Sequence, residues 1–175
     1  MRRHLAEAGI EATVSSAGLY EGGAPATGHG IAAMADRGHD LEAHRSRRME
    51  PGMLQRADLV IGMARQHVRE AAVLEGGALT KTFTLKELVR GAEAVGSRSP
   101  DEPLSAWLSR IAGTRERQSL LGVGHDDDLD VADPVGGSRA DYEVTADLLD
   151  DLLARAVSLA FPGAPAGARS QERSA

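Results

Sequence analysis

The stretch that decides the fold lies near the middle of the chain and reads Asp58-Leu59-Val60-Ile61-Gly62-Met63. Its apolar residues follow one another without a polar interruption, which is typical of a strand buried on both faces in a parallel sheet. A helix is predicted directly after it over Arg65–Leu74, and a second short strand over Lys81–Thr84. Because strands and helices alternate, the sequence predicts a layered α/β domain.

Further elements of both kinds are predicted on either side of this stretch. Upstream they are the end of a helix at Arg2–Ala8, a short β-prone segment at Ala12–Ala17, a helix from Pro25 to Gly38 and a short helix at Glu50–Arg56. Downstream they are helices at Leu85–Val95, at Leu104–Ala112 and from about Tyr142 to Phe161. We therefore expect one domain over residues 1–161, followed by a disordered tail over residues 162–175 that is rich in Pro, Gly, Ser, Arg and Ala.

Composition and charge restrict the class of protein. The formal net charge of the 175 residues is −6, whereas a nucleic-acid surface needs a clustered cationic face, so no nucleic-acid partner is expected. No apolar run approaches the roughly 20 residues of a membrane span, and Met1–Gly9 does not have the pattern of a signal peptide. We expect a cytoplasmic protein. The chain contains no cysteine, which excludes disulfides, thiolate metal sites and cysteine catalysis within these residues.

The candidate catalytic residue is Asp133, which precedes Pro134 in an acidic loop ahead of the last predicted helix. Proline fixes its own φ and biases the preceding residue toward extended conformations, so the carboxylate is held in one direction. A general acid must reach the leaving oxygen at hydrogen-bonding distance, and a stiffened loop suits that task. Asp-Pro is also a common turn dipeptide, so the pair alone leaves both interpretations open.

No metal or cofactor site is predicted. The acidic run His125–Asp130 lacks the oxygen spacing and the turn-forming glycine of a calcium loop, and a solvated loop is favoured. The six histidines lie on different predicted elements and form no metal-binding His-Glu-x-x-His pair. The arginines of the segment Arg45–Arg48 could bind an anion, but a solvated connector is favoured. No Gly-x-Ser-x-Gly motif of a serine nucleophile occurs.

Several short motifs form one ordered series along the chain. The series is Ser15-Ser16-Ala17-Gly18, Gly23-x-Pro25, Ala35-Asp36-Arg37-Gly38-His39-Asp40-Leu41, His44-Arg45-Ser46-Arg47, Ala57–Met63 with His67, and Asp130-Val131-Ala132-Asp133-Pro134-Val135-Gly136-Gly137-Ser138 with Tyr142. In this order the motifs resemble those of the low-molecular-weight protein-tyrosine phosphatase family, whose fold is shared by one class of arsenate reductases. The resemblance runs from Met1 to about Phe161 and is weakest across Gly91–Gly124.

The resemblance implies a three-layer phosphotyrosine phosphatase I-like fold with a parallel sheet, and chemistry without a cofactor. In the family, a Cys-x5-Arg loop follows the central first strand, and its thiolate attacks phosphorus while backbone N–H groups and the arginine hold the phosphoryl oxygens. An aspartate before proline protonates the leaving oxygen and then activates water, and the resemblance implies this role for Asp133. Ser16 and His44 resemble residues that support the phosphate loop. Val135 stands where the family often has an aromatic residue, which leaves phosphotyrosine preference open.

The front of the chain departs from the family pattern. Met1–Leu5 matches the middle of the family's first helix, so we expect the central first strand and the phosphate loop to be missing from this chain. The resemblance implies a protein-tyrosine phosphatase that hydrolyses a phosphate monoester, on a phosphotyrosine protein or a small molecule, through a cysteinyl-phosphate intermediate. As written, the chain is expected to be inactive. Two alternatives stay open: a non-catalytic regulatory or phosphoprotein-binding domain, and an arsenate reductase, which needs redox cysteines that this sequence lacks.

Overall fold

A computed structural model describes residues 1–115 and 129–163 of the chain. The acidic residues Asp126, Asp127 and Asp128 and almost all of the predicted tail lie outside these ranges. The described elements are α1 (Arg2–Glu7), α2 (Gly28–Ala35), α3 (Pro51–Arg56), β1 (Val60–Gly62), α4 (Arg65–Leu74), a 3-10 helix (Gly76–Lys81), β2 (Thr82–Thr84), α5 (Leu85–Val95), α6 (Leu104–Ala112) and α7 (Arg139–Ala160). None of these helices is long and apolar enough to cross a membrane.

The two described strands pair in parallel, which confirms the predicted α/β class. Their register places Val60 opposite Thr82, Ile61 opposite Phe83 and Gly62 opposite Thr84. Parallel strands need a crossover connection, and α4 with the 3-10 helix supplies it. All three residues of β2 are buried, as expected for a strand covered on both faces. Helices α4 and α5 begin within a few residues of the carboxyl ends of β1 and β2, so these helix starts lie at one edge of the sheet.

Helix α5 has the bounds that the sequence predicts because both of its ends carry local signals. Thr84 Oγ1 accepts a hydrogen bond from Glu87 N at 3.1 Å, and Glu87 Oε2 accepts one from Thr84 N at 3.2 Å. This reciprocal capping box satisfies two N–H groups that the first turn would otherwise leave unpaired. Gly96, with a φ of +82°, follows the last turn in a conformation that favours glycine.

The main hydrophobic core lies between β2 and the three helices α5, α6 and α7. Its buried members are Phe83, Leu85, Leu88, Val89, Ala92, Trp107, Leu108, Ile111, Leu152, Ala156 and Ala160. The indole of Trp107 is 1% exposed, and its Nε1–H donates to Gly96 O at 2.9 Å, so its polar group is satisfied inside the core. Apart from Phe83, the remaining members are aliphatic, which agrees with an aromatic content of only 3%.

Arg115 ties the start of β2 to α5 from inside the protein. Its side chain is 6% exposed, and Nε donates to Glu87 Oε1 at 2.7 Å while Nη1 donates to Leu79 O at 2.8 Å. A third donor, Nη2, contacts Thr82 O. The guanidinium also lies 4.2 Å from the ring centroid of Phe83. This buried cation therefore has an ionised partner, two carbonyl acceptors and an aromatic ring around it.

The β-prone segment Ala12–Ala17 does not form a strand, which corrects one expectation. The segment is mostly exposed, and its backbone N–H groups make no hydrogen bond within the part of the chain that the structure describes. Only Gly18 pairs, through Gly18 N to Arg47 O at 2.9 Å and Met49 N to Gly18 O at 2.8 Å. A β-prone sequence becomes a strand only when a neighbouring strand pairs with it, and no described strand lies beside this segment.

Helix α2 begins three residues later than predicted. Pro25 is not its first residue but forms an isolated antiparallel bridge with Arg45. Thr27 is the N-cap, and its Oγ1 accepts a hydrogen bond from Gly30 N at 3.2 Å. A hydroxyl acceptor at the N-cap stabilises the helix start more strongly than proline at the first helical position, which has no side-chain acceptor.

Candidate active site

The N-terminal end of the loop that carries Asp133 is hydrogen-bonded to the end of β1. Val131 N donates to Met63 O at 2.7 Å, and Met63 directly follows the strand. The side chains of Leu129 and Val131 are buried, so this part of the loop packs against the protein interior. The carboxyl edge of a parallel sheet is where open α/β folds bind their ligands, and the predicted catalytic loop lies at that edge.

Asp133 itself lies on an exposed tight turn. Asp133 Oδ1 accepts a hydrogen bond from Val135 N at 3.0 Å, and Pro134 O accepts one from Gly137 N at 2.9 Å. Gly136 has a φ of +85°, the conformation that the third position of a type II turn requires. One carboxylate oxygen is therefore held by its own loop, and the carboxylate of Asp133 faces solvent on a turn of defined shape.

The far end of the loop is fixed by the start of α7. Ser138 N and Oγ donate to Asp141 Oδ2 at 2.7 and 2.8 Å, and Ser138 caps the first turn. The hydroxyl of Ser138, and then its backbone N–H, hold the pKa of the Asp141 carboxyl below its ordinary value. Because of this capping box, α7 begins at Arg139, three residues before the predicted start at Tyr142.

The turn between β1 and α4 has its backbone donors satisfied by two side chains. His67 Nδ1 accepts from Met63 N at 3.2 Å and from Ala64 N at 3.3 Å, so this nitrogen carries no proton and Nε2 does. Asp130 Oδ1 accepts from Arg65 N at 2.8 Å and lies 3.3 Å from Arg65 Nε. A carboxylate at a helix N-terminus also interacts favourably with the helix dipole.

The two predicted support residues, Ser16 and His44, lie on segments that the Gly18 bridge brings together. Arg47 Nε donates to Ser16 O at 2.6 Å, which uses the backbone of Ser16 and leaves its hydroxyl unused by this bond. His44 is exposed on the neighbouring segment. Within residues 1–115 and 129–163, no hydrogen bond or ion pair joins Asp133 to either residue. Their roles stay predictions.

The start of α2 is fastened to the start of α7. Thr27 Oγ1 donates to Tyr142 Oη at 2.9 Å, and the ring of His29 lies 6.0 Å from that of Tyr142. An ion pair between Arg37 and Asp147 continues the contact one turn further along. The segment before α2 and the Asp133 loop therefore share one support.

Sequence reasoning missed two residues at this edge, Asp130 and His67, as partners of the backbone. A signal for His67 was available, because a polar side chain at the third helical position can accept from the backbone N–H of the N-cap residue, here Ala64. The contact between Asp130 and Arg65 spans 65 residues, and no local pattern predicts it.

Among the described residues, no three His, Asp or Glu side chains lie close enough together to hold a metal ion. The acidic run Asp126-Asp127-Asp128 is outside the described ranges.

Comparisons with known proteins agree with the fold. The sequence model of the family described as low molecular weight phosphotyrosine protein phosphatase matches residues 1–104. The chain is 29% identical over 146 residues to a protein-arginine-phosphatase of Bacillus subtilis, an alignment that covers 83% of this chain and 73% of that protein.

Two solved structures extend this similarity to three dimensions. A mutant YwlE arginine phosphatase with a phosphorylated active-site serine has a TM-score of 0.64 and 26% identity, covering 90% of this chain and 80% of that chain. The solution structure of a low molecular weight protein tyrosine phosphatase from Bacillus subtilis has a TM-score of 0.61 and 27% identity, with 88% and 79% of the two chains covered.

Proposed function

Because the chain belongs to the low molecular weight phosphotyrosine protein phosphatase family, we propose that it carries the general-acid half of a phosphatase site, with Asp133 as the acid. The observation that supports this assignment is the position of Asp133. It lies on a turn of defined shape at the carboxyl edge of the sheet, with Val131 fixed to β1 on one side and Ser138 fixed to α7 on the other.

In the proposed reaction, a cysteine thiolate attacks phosphorus and the bond from phosphorus to the leaving atom breaks. That atom is an oxygen in a phosphate ester and a guanidinium nitrogen in phosphoarginine. The proton of Asp133 passes to it, so the leaving group departs protonated. The Asp133 carboxylate then removes a proton from a water molecule that attacks the cysteinyl phosphate, which releases inorganic phosphate and regenerates the thiolate. None of the 175 residues is a cysteine. This chain by itself therefore cannot carry out the nucleophilic attack on phosphorus.

Ser16 and His44 are proposed to support the phosphate-binding loop. Ser16 lies in the exposed segment that makes no strand, and its backbone is fixed by Arg47 while its hydroxyl is not used by that bond. A serine hydroxyl and a histidine ring can each donate to a thiolate or to a loop carbonyl. Both side chains therefore have the chemistry for that role beside a phosphate-binding loop.

Two classes of substrate fit the proposal. One is phosphate monoesters, either phosphotyrosine proteins or small molecules, and the other is phosphoarginine proteins. Phosphotyrosine follows from the family description. Phosphoarginine is supported by the 29% identity to the Bacillus subtilis protein-arginine-phosphatase and by Val135, which offers no aromatic face to a phenol ring. A non-catalytic phosphoprotein-binding domain is the alternative that the lack of cysteine supports.

A fusion tests the proposal. A strand and a Cys-x5-Arg loop designed on the family pattern are joined ahead of Met1, and release of phosphate is measured from an aryl phosphate, a phosphotyrosine peptide and a phosphoarginine peptide. We expect turnover in the ordinary enzyme range, roughly 1–10³ s⁻¹, which is lost when the cysteine is changed to serine. A fusion that folds but hydrolyses none of the three contradicts the proposal. Binding of the phosphopeptides without hydrolysis supports the non-catalytic alternative.

A further inference from the structure

The start of α4 exposes backbone N–H groups that need acceptors, as every helix start does. His67 Nδ1 takes those of Met63 and Ala64, at 3.2 and 3.3 Å. The N–H of Arg65 is taken instead by Asp130 Oδ1 at 2.8 Å, from a residue of the Asp133 loop. The helix cap is thus divided between a side chain of the helix itself and a side chain of the catalytic loop.

The contact is also an ion pair in a sheltered place. Arg65 Nε lies 3.3 Å from the same Asp130 oxygen, and the side chains of Arg65 and Asp130 are 16% and 35% exposed. A hydrogen bond with an ionised partner is stronger than a neutral one, and partial burial protects it from screening by salt. The Asp130–Arg65 pair should therefore stabilise the loop more than an exposed ion pair would. Asp151 and Arg155 form such an exposed pair, with side chains that are 62% and 44% exposed.

The backbone between Asp130 and Asp133 has little conformational freedom. Val131, the next residue, donates its N–H to Met63 O at 2.7 Å and is buried. A single residue, Ala132, then separates Val131 from Asp133, and Pro134 restricts Asp133 from the other side. Loss of the Asp130 contact removes one of the attachments at the N-terminal end of this short loop, while Val131 and, at the other end, Ser138 stay fixed.

We propose that Asp130 is a positioning residue for Asp133: by capping α4 and pairing with Arg65, its carboxylate sets where the Asp133 carboxylate stands at the edge of the sheet. The inference rests on the proposed function of Asp133. In this proposal Asp130 does not contact the substrate. It positions Asp133, which does.

The first test uses the full chain and hydrogen exchange of single amides. In Asp130→Ala we expect the N–H groups of Val131, Val135 and Gly137 to exchange about tenfold faster, since a hydrogen bond to a charged partner is lost. Asp130→Asn keeps an acceptor for Arg65 N and is expected between wild type and alanine. Asp151→Ala is the matched control and leaves these amides unchanged.

Two outcomes overturn the proposal. One is exchange of the three loop amides within twofold of wild type in Asp130→Ala. The other is an equal increase in α5, because Asp130 then stabilises the whole fold rather than the loop. Faster exchange that is confined to the loop supports the proposal.

The second test is a double-mutant cycle in the fusion described above, with a substrate that has a poor leaving group. Asp130→Ala alone is expected to lower kcat about tenfold with KM unchanged, since a misplaced acid loses much of its effect. In the Asp133→Ala background, the same change is expected to have no further effect, because Asp130 acts only through Asp133. Additive losses contradict the proposal. A fusion without any activity contradicts the proposed function, while the exchange experiment still decides the role of Asp130.

Discussion

Arg115 carries more of the stability of the described fold than its charge suggests. It donates to Glu87, Leu79 and Thr82 and stacks on Phe83 while almost wholly buried. Lysine has one charged nitrogen and no planar face, so it cannot reproduce the bonds of the guanidinium fork.

We expect Arg115→Lys to lower the free energy of unfolding by about 2 kcal/mol, because lysine keeps the charge but loses the bonds of the fork. Arg115→Met should lower it by about 3 kcal/mol, because Glu87 then loses its buried cationic partner as well. The measurement is urea unfolding at neutral pH. Arg69→Lys, on the exposed side of α4, is the control and should change the midpoint little. A loss below 0.5 kcal/mol for Arg115→Met would show that the network contributes no net stability.

At Asp133 the expected effect depends on the leaving group. In the fusion, Asp133→Asn and Asp133→Ala should slow release of a poor leaving group by roughly 10²–10⁴-fold, the usual contribution of a general acid. An activated aryl phosphate expels a stable anion and should be slowed less. Alanine variants of Asp126, Asp127 and Asp128, which lack the following proline, should stay within a few-fold of wild type. Full activity of Asp133→Ala on the poor leaving group would assign the role to one of these carboxylates.

At the scale of the elements, the capping box of α7 decides where the Asp133 loop ends. Ser138→Ala removes the hydroxyl that caps the helix and bonds to Asp141. We expect this variant to unfold about 3 °C lower than wild type at neutral pH. Ser158→Ala, exposed near the end of the same helix, is the control and should unfold within about 1 °C of wild type.

The difference should depend on pH in a defined direction. The pKa of Asp141 is lower in the folded protein than its ordinary value, so its stabilising contribution is complete above about pH 4 and is lost as the pH falls through the folded value. The gap in unfolding temperature between wild type and Ser138→Ala should therefore be constant from about pH 5 to 7 and shrink at lower pH. Thermal unfolding followed by circular dichroism measures it. A gap that widens in acid would contradict the assignment.

Elements with signals inside their own sequence were predicted best. Helices α4, α5 and α6 have the predicted bounds, and β1 lies within the predicted apolar stretch. The start of α7 was predicted three residues late, because its capping box was missed. The expectation for Ala12–Ala17 was wrong for another reason. Its residues favour a strand, but a strand forms only when another strand pairs with it. Local propensity cannot supply that information.

The candidate site divides in the same way. Asp133 could be singled out because proline follows it directly, and Ser16 and His44 through their place in a series of motifs. The contact that holds the loop, Asp130 to Arg65, joins residues far apart in sequence and became visible only in the structure. The positive φ of Gly136, which closes the turn, also became visible only in the structure.

At the scale of the whole molecule, we predict that the chain of 175 residues has no phosphatase activity above background. It contains no thiolate that could form the covalent intermediate. The assay is hydrolysis of a chromogenic aryl phosphate by the pure protein, with the buffer alone and Asp133→Ala as references. Turnover in the ordinary enzyme range that disappears in Asp133→Ala would contradict this prediction and require another nucleophile.

The exposed segment Ala12–Ala17 predicts self-association of the same chain. Its backbone N–H groups are unpaired within the described residues, and such an edge can pair with a second copy. Sedimentation velocity should show association that increases with concentration and is reduced in Thr13→Lys, since an edge lysine opposes pairing. Thr80→Lys adds the same charge at an exposed site on the 3-10 helix and should leave association unchanged. A monomer with sharp cooperative unfolding would contradict the prediction.

The position of Trp107 decides what an optical experiment on this protein can report. It is the only tryptophan of the chain and lies in the core between α5, α6 and α7. Its fluorescence will therefore report on unfolding of the core between α5, α6 and α7 and not on conformational changes at the Asp133 turn. A second fluorophore at the exposed position 135, introduced as Val135→Trp in a Trp107→Phe background, would report on the turn instead. If the two signals change at different denaturant concentrations, the Asp133 turn and the core around Trp107 unfold as separate units.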